Sequence, residues 1–228
     1  LYEQYHQGRY DSKILTEDLG TKFEGTNVSI KPYPCCRGIH VFIDASLGLV
    51  NEHNIKREMI QKVTIFSGEG DYKLLCLPLE TKCRPRNFVD AQFSIPYGVA
   101  TAIARGKVTR EAFNDEAVSS QDIIDVLEKI EVKLDASLSG GKSHKNEPGK
   151  VQILTKDEKI YSNRVDDPLG SPQKPMSYSD CAEKFSDCVS YPVKRVSDEN
   201  IERVIKLVKD LEDVEDIREV IKLLSENR

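Results

Sequence analysis

From Ile39 onward, apolar side chains recur at three- and four-residue steps: Ile39, Phe42, Ile43, Leu47 and Val50. One face of an α-helix has that period, so an amphipathic helix is predicted there. A second apolar run, Phe88 to Ala104, contains Pro96. Proline suits a first helical turn, which places the helix start near Ser94 and its end at Gly106. Thr109 can cap a short helix through Phe113, and Ser120 another over 121–127. Elsewhere the period drops to two. Ile130-Glu131-Val132-Lys133-Leu134 alternates strictly, and Lys62 to Phe66 nearly so, which predicts strands. Residues 150–155 and 159–163 flank Lys156-Asp157-Glu158, a hairpin pattern. Phe23 to Ile30, rich in Thr, Val, Ile and Phe, predicts one more strand. Gly68 to Arg86 and Ser137 to Gly149 read as loops.

The ends differ from the middle. Leu1 to Leu19 reads as one or two short helical pieces. Asp166 to Pro175 carries three prolines and no periodicity, so it reads as a linker. Beyond it Ser177 caps a helix holding Cys181, Phe185, Cys188 and Val189. Ser197 caps another with Asp198 and Glu199 in its first turn and Ile201, Val204, Ile205, Val208 and Leu211 on one face. Val214, Ile217, Val220, Ile221 and Leu224 mark a last one. The expected architecture is α+β: a body over 21–168 with a small antiparallel sheet and packed helices. Helical segments 1–20 and 169–228 flank it, as the edge of a larger all-α domain.

Composition narrows the function classes. The chain has 228 residues, 39% hydrophobic and 31% charged, with a net charge of −5. Nucleic-acid binding needs a basic face to displace counterions, so it is not expected. No apolar run reaches the roughly 18 residues that span a bilayer. With no positive-then-apolar leader, a cytoplasmic protein is expected. The chain opens on Leu1, not Met, which leaves room for missing upstream sequence. Cys35, Cys36, Cys76, Cys83, Cys181 and Cys188 form no Cys-x-x-Cys pair, and no histidine stands at zinc-finger spacing. No metal or other cofactor is expected, and the thiols are read as reduced. Cys181 and Cys188, seven apart, are expected as small buried groups on one helical face. Gly140-Gly141-Lys142-Ser143 resembles the tail of a phosphate-binding loop, but Ala136 stands where that pattern needs glycine.

Candidate chemistry concentrates in Lys31-Pro32-Tyr33-Pro34-Cys35-Cys36-Arg37, followed by His40 and Asp44. This is the approach to the first helix, and such junctions hold polar groups over a cleft. Lysine, arginine and histidine can pair with anions, and tyrosine can donate a hydrogen bond to them. Arginine can clamp a carboxylate with two parallel bonds, which lysine cannot. His40 and Asp44 are four apart, so one helix face could let Asp44 orient the imidazole. For each, a structural role competes: a solvated Lys31, a core or capping His40, a packed Tyr97 with its hydroxyl satisfied nearby.

The stretch from Lys31 to Asp44 resembles the 2-methylcitrate dehydratase (MmgE/PrpD) family. So do Asp90-Ala91-Gln92-Phe93-Ser94-Ile95-Pro96-Tyr97, Ala112-Phe113, the strand at Val132, Gly170 to Pro175, and Lys184-Phe185. The resemblance implies the C-terminal half of a two-domain enzyme: the α+β lid and the last helices of the helical domain. It implies lyase chemistry on a small polycarboxylate such as 2-methylcitrate, in propionate catabolism, without a cofactor. It places Lys31 and Tyr97 at the active site, Lys31 binding a carboxylate and Tyr97 donating a hydrogen bond or a proton. Beside Lys31 and Tyr97, His40 is the third catalytic candidate, and Arg37, Cys36 and Ser94 are candidates for substrate binding. Cys36 falls where the decarboxylase relatives carry histidine, which favours dehydration. Epimerisation or isomerisation, decarboxylation, and a non-catalytic module keeping the lid fold remain the alternatives. This segment alone is expected to be inactive, and its helical ends to associate, as a homodimer or with a missing part of the chain.

Overall fold

The computed structural model describes residues 2–140, 147–191 and 196–225. In chain order the body contains helix α1 (His40–Glu52), strand β1 (Ile60–Ser67), helix α2 (Ile95–Arg105), helix α3 (Gln121–Leu127) and strands β2 (Ile130–Leu134), β3 (Gly149–Thr155) and β4 (Ile160–Val165). The strands form one sheet in the order β2-β1-β3-β4. The expected hairpin is present, β3 pairing with β4 antiparallel. Strand β1 also pairs antiparallel with β3, but β1 and β2 run parallel. The sheet is therefore mixed, not antiparallel. The chain between β1 and β2 contains α2 and α3, and a crossover of that length is what a parallel pair requires.

Both long helices of the body are more buried than an amphipathic pattern predicts. Val41, Phe42, Ile43 and Ala45 of α1 have no exposed surface. Helix α1 lies against β3 and β4 on one side and α2 on another, so it is covered on most faces. Gly98 permits the approach of the two helices: a Cβ there would stand 2.5 Å from Ile39 Cγ2. Helix α2 begins as the sequence predicts. Ser94 caps it by accepting the Tyr97 N–H, and Gly106 ends it in the left-handed region at φ 64°. On the sheet, β3 alternates buried and half-buried positions, with Val151 and Ile153 in the core.

The predicted strand over Phe23 to Ile30 does not form. Glu24–Asn27 is a 3₁₀ turn, and Phe23 and Val28 are exposed. Strand propensity needs a partner edge and a surface to pack on, and this segment meets neither. The 68–86 region is less irregular than expected, with helical turns at Tyr72–Cys76 and Leu79–Cys83 that bury Leu75 and Cys76. Residues 141–146 lie outside the described residues, and with them the middle of the polar loop and the Gly-Lys-Ser of the phosphate-loop lookalike.

Past the body come α4 (Tyr178–Val189), α5 (Asp198–Lys209) and α6 (Arg218–Ser225). Ser177 and Asp180 form a capping box on α4, and Ser197 caps α5. Helices α5 and α6 share a small cluster of Val204, Val220 and Leu223. Cys181 is half-buried and Cys188 exposed, so the buried pair expected from their spacing is absent. Ile217, Ile221 and Leu224 remain exposed, as do Tyr5, Ile14 and Leu19 near the start. Among the described residues no helix is long and apolar enough to cross a membrane, and no cluster of side chains could hold a metal ion.

Candidate functional site

The junction before α1 is held from both sides. Ile30 N–H donates to the Gly170 carbonyl at 2.9 Å. Two residues beyond Lys31, the buried Tyr33 hydroxyl donates to Asp44 Oδ1 at 2.6 Å. The other oxygen, Asp44 Oδ2, accepts Leu169 N–H at 2.7 Å and lies 3.6 Å from Lys174 Nζ. Further along, Cys36 N–H donates to the Gln92 carbonyl, and Gln92 Nε2 donates to the Pro34 carbonyl at 2.9 Å. The backbone around Lys31 is thus fixed while its side chain is exposed. The Asp166–Pro175 stretch, expected as a linker, is a structured turn and one half of this arrangement.

His40 opens α1 and is buried. Its ring meets the Tyr33 ring edge-on, centroids 5.2 Å apart. Its Nε2 is buried without a hydrogen-bond partner. Burial lowers its pKa to about 4, the ring's hydrogen bond to the Cys35 backbone carbonyl and the charge of Asp44 oppose that, and the charges of Lys31 and Arg37 add to it. The imidazole is therefore neutral at pH 7 and sits inside the field of two cations. Asp44 does not hydrogen-bond it. The helical spacing brings the two to one face, as expected, but the Tyr33 phenol takes the oxygen that the imidazole would need, and Asp44 reaches His40 only through space. Burial also pushes the Cys35 thiol far above its ordinary value, so it is no nucleophile.

The other candidates divide. Arg37 is half-buried and is not a free cation, and Cys36 is half-buried beside it. Tyr97 is not brought to the junction surface. It has no exposed area, its hydroxyl donates to the Ala112 carbonyl at 2.7 Å, and burial raises its pKa to about 12. Packing against Phe113 and the satisfied hydroxyl place it as a core residue, with its hydroxyl turned away from the junction. Tyr97→Phe is accordingly expected to cost about 1 kcal/mol of stability in urea melts, the usual net value of one buried hydrogen bond, and to leave ligand affinity unchanged. Ser94 is placed in the core likewise. It is fully buried, donates to the Lys82 carbonyl at 2.6 Å and caps α2, so no polar atom remains for substrate.

Two cavities border this region or rival it. A groove of about 470 Å³ runs beside the junction, lined by Pro34, Phe88, Gln92, Arg110, Phe113 and Tyr191. A larger cleft of about 960 Å³, lined by apolar residues such as Leu79, Val118, Ile124 and Leu127 together with Glu80, Arg84 and Glu128, shares no residue with the junction. The chemistry argues for the junction over the size of the cleft.

Sequence reasoning missed Tyr33 as the phenol that matters, the turn at Leu169 and Gly170, and Asp71. The Asp71 carboxylate packs on Gly38, where a Cβ would stand 2.5 Å from Oδ1. Burial first, then the charge of Glu147, raise its pKa to about 7. Nothing in Glu69-Gly70-Asp71 signals this, because the burial comes from chain far away in sequence.

A family model described as the MmgE/PrpD C-terminal domain matches residues 33–211. Lys31 stands two positions ahead of that span, while Tyr33, Cys36, Arg37, His40, Asp44 and Leu169 lie within it. No curated protein matches the chain significantly. The matched span covers well over half of the chain, and the body it covers is α+β with the polar junction at the start of α1. The chain belongs to the MmgE/PrpD family and carries its C-terminal domain.

Proposed function

We propose that this chain is the lid half of a cofactor-independent hydro-lyase that dehydrates a small tricarboxylate of the 2-methylcitrate type. Family membership supports the dehydratase class. The observation that carries the site is the neutral, buried His40 with an unpartnered Nε2, lying in the combined field of Lys31 and Arg37. Lys31 binds one substrate carboxylate and stabilises charge next to it, Arg37 takes part in carboxylate binding, and Cys36 lies at the rim. A bound polyanion neutralises the cation field and raises the His40 pKa towards the working range of an acid–base group. In this reading residues 1–20 and 169–228 belong to the helical domain, which supplies the remaining acid–base groups, so the present segment alone is inactive. The exposed apolar faces of α6 and of the first thirty residues support a covering partner, either that domain or a second copy.

The test is calorimetric titration with 2-methylcitrate on the protein that contains this segment together with the helical domain. Lys31→Ala is expected to weaken binding by about tenfold or more, the value of one charge-assisted contact. Equal affinities in wild type and Lys31→Ala would remove Lys31 from the site. Deuterium incorporation at one carbon without loss of water would instead support an epimerase.

A further inference from the structure

We infer that Asp44 and the Leu169–Gly170 turn are positioning elements that set Lys31 for its substrate carboxylate; this rests on the reading of Lys31 given above. Lys31 lies in a short segment with an anchor on each side, and both anchors end in the same turn. On the N-terminal side, Ile30 N–H donates to the Gly170 carbonyl. On the C-terminal side, the Tyr33 hydroxyl donates to Asp44, whose second oxygen takes the Leu169 N–H. The turn closes on itself, since Gly170 N–H donates to the Lys174 carbonyl and Lys174 Nζ lies beside Asp44 Oδ2. Tyr33 is flanked by Pro32 and Pro34, which restrict the backbone to few conformations. A side chain with four rotatable bonds is held only as well as its backbone, and here the chain is tied through the Ile30 N–H on one side and the Tyr33 hydroxyl on the other.

Two details show how finely the anchor is fitted. Gly170 has φ 84°, and a Cβ there would stand 2.0 Å from the Ile30 carbonyl oxygen. Any other residue at 170 must push the Ile30–Lys31 backbone away. Asp44 has only 4% of its side chain exposed and accepts at both oxygens. Asparagine at 44 keeps one acceptor and turns an N–H₂ towards whichever donor remains, so one anchor is lost with almost no change in shape. The turn is thus coupled to the Lys31 segment directly through the Ile30–Gly170 bond and indirectly through the Asp44 carboxylate, which acts through Tyr33 and Leu169 without touching substrate.

The first measurement is amide hydrogen exchange on this chain. In Asp44→Asn and in Gly170→Ala, the Ile30 and Leu169 amides are expected to exchange about tenfold faster or more, a loss of about 1.4 kcal/mol of local protection, while β3 amides stay as in wild type. Unchanged protection at Ile30 in both variants overturns the clamp, whatever Lys31 does. The second is a double-mutant cycle on the protein that includes the helical domain, with 2-methylcitrate binding read by calorimetry. Asp44→Asn is expected to weaken binding about tenfold in the Lys31 background and to have no further effect in Lys31→Ala. A merely structural role would give the same loss in both backgrounds, and that result overturns the inference. If Lys31→Ala binds as wild type while Ile30 protection falls as expected, the clamp stands as a structural fact and the reading of Lys31 fails.

Discussion

Phe42→Ala is expected to destabilise the chain by about 3–5 kcal/mol in equilibrium urea unfolding, the range for removing a buried aromatic side chain. Phe42 has no exposed surface and sits on the face of α1 that meets β3. Its ring stands 2.8 Å from where a Cβ on Gly149 would lie, and Val41 Cγ2 stands 2.7 Å from the same point. The ring therefore fills the space that glycine leaves at the start of β3, and the cavity left by alanine cannot be closed by a neighbouring side chain on that strand. Gly149→Ala alone is expected to cost about 1–3 kcal/mol as overpacking. The double variant is expected to cost less than the sum, because removing the Phe42 ring makes room for the new methyl group. Additive losses would mean that α1 and β3 do not press together there. The effect reaches the site, since Phe42 lies two residues after His40, and α1 carries both His40 and Asp44.

The elements read correctly from sequence are those whose signals are local. Helix α1 has its three-and-four period, α2 has the Ser94 cap, Pro96 and Gly106, and the β3–β4 hairpin has strict flanks around a three-residue turn. Phe23 to Ile30 misled because strand propensity is a statement about packing, and no sheet edge is offered to it. The parallel pairing of β1 and β2 depends on how α2 and α3 cross between them, which no window of sequence contains. The site divides in the same way. The Lys31–Asp44 motif located the junction, and the family resemblance named the domain. The surroundings of Tyr97 and Ser94 were not legible because side-chain direction was undetermined: Tyr97 lies on α2 and Ser94 caps it, as the motif implies, but their hydroxyls bond to the Ala112 and Lys82 carbonyls in the core. The bonds that hold Lys31 in place run from Asp44 to Leu169 and from Ile30 to Gly170, across more than half of the chain. A proline-rich stretch looks like a linker until its partner is known.

Stability between about pH 4.5 and 6.5 is expected to be nearly flat, and Asp71→Asn is expected to make it rise steeply. Two buried groups oppose each other in that window. The His40 pKa falls from 6.5 to about 4 on folding, so below 6.5 the unfolded chain takes up a proton that the folded chain refuses. That contribution is complete above pH 6.5 and is lost as pH falls towards 4. The Asp71 pKa rises from 3.8 to about 7, so above 3.8 the folded chain keeps a proton that the unfolded chain releases. That contribution is complete below pH 3.8 and is lost as pH rises through 7. Each changes stability by up to about 1.4 kcal/mol per pH unit, with opposite sign. The surface carboxylates with shifted values are held below their usual range, so their effects fall at lower pH. Replacing Asp71 by asparagine leaves His40 unopposed, and stability is expected to rise by about 2–3 kcal/mol from pH 4.5 to 6.5. At pH 8 the same variant is expected to exceed wild type by on the order of 2 kcal/mol, less than the full shift implies because the carboxyl is partly exposed and screened. His40→Gln gives the mirror result, a stability that falls over the same window. Asp71 packs on Gly38, two residues before His40 at the head of α1. A wild-type profile that rises with pH across this window, with Asp71→Asn parallel to it, would place the Asp71 carboxyl in water and not against Gly38 and Glu147.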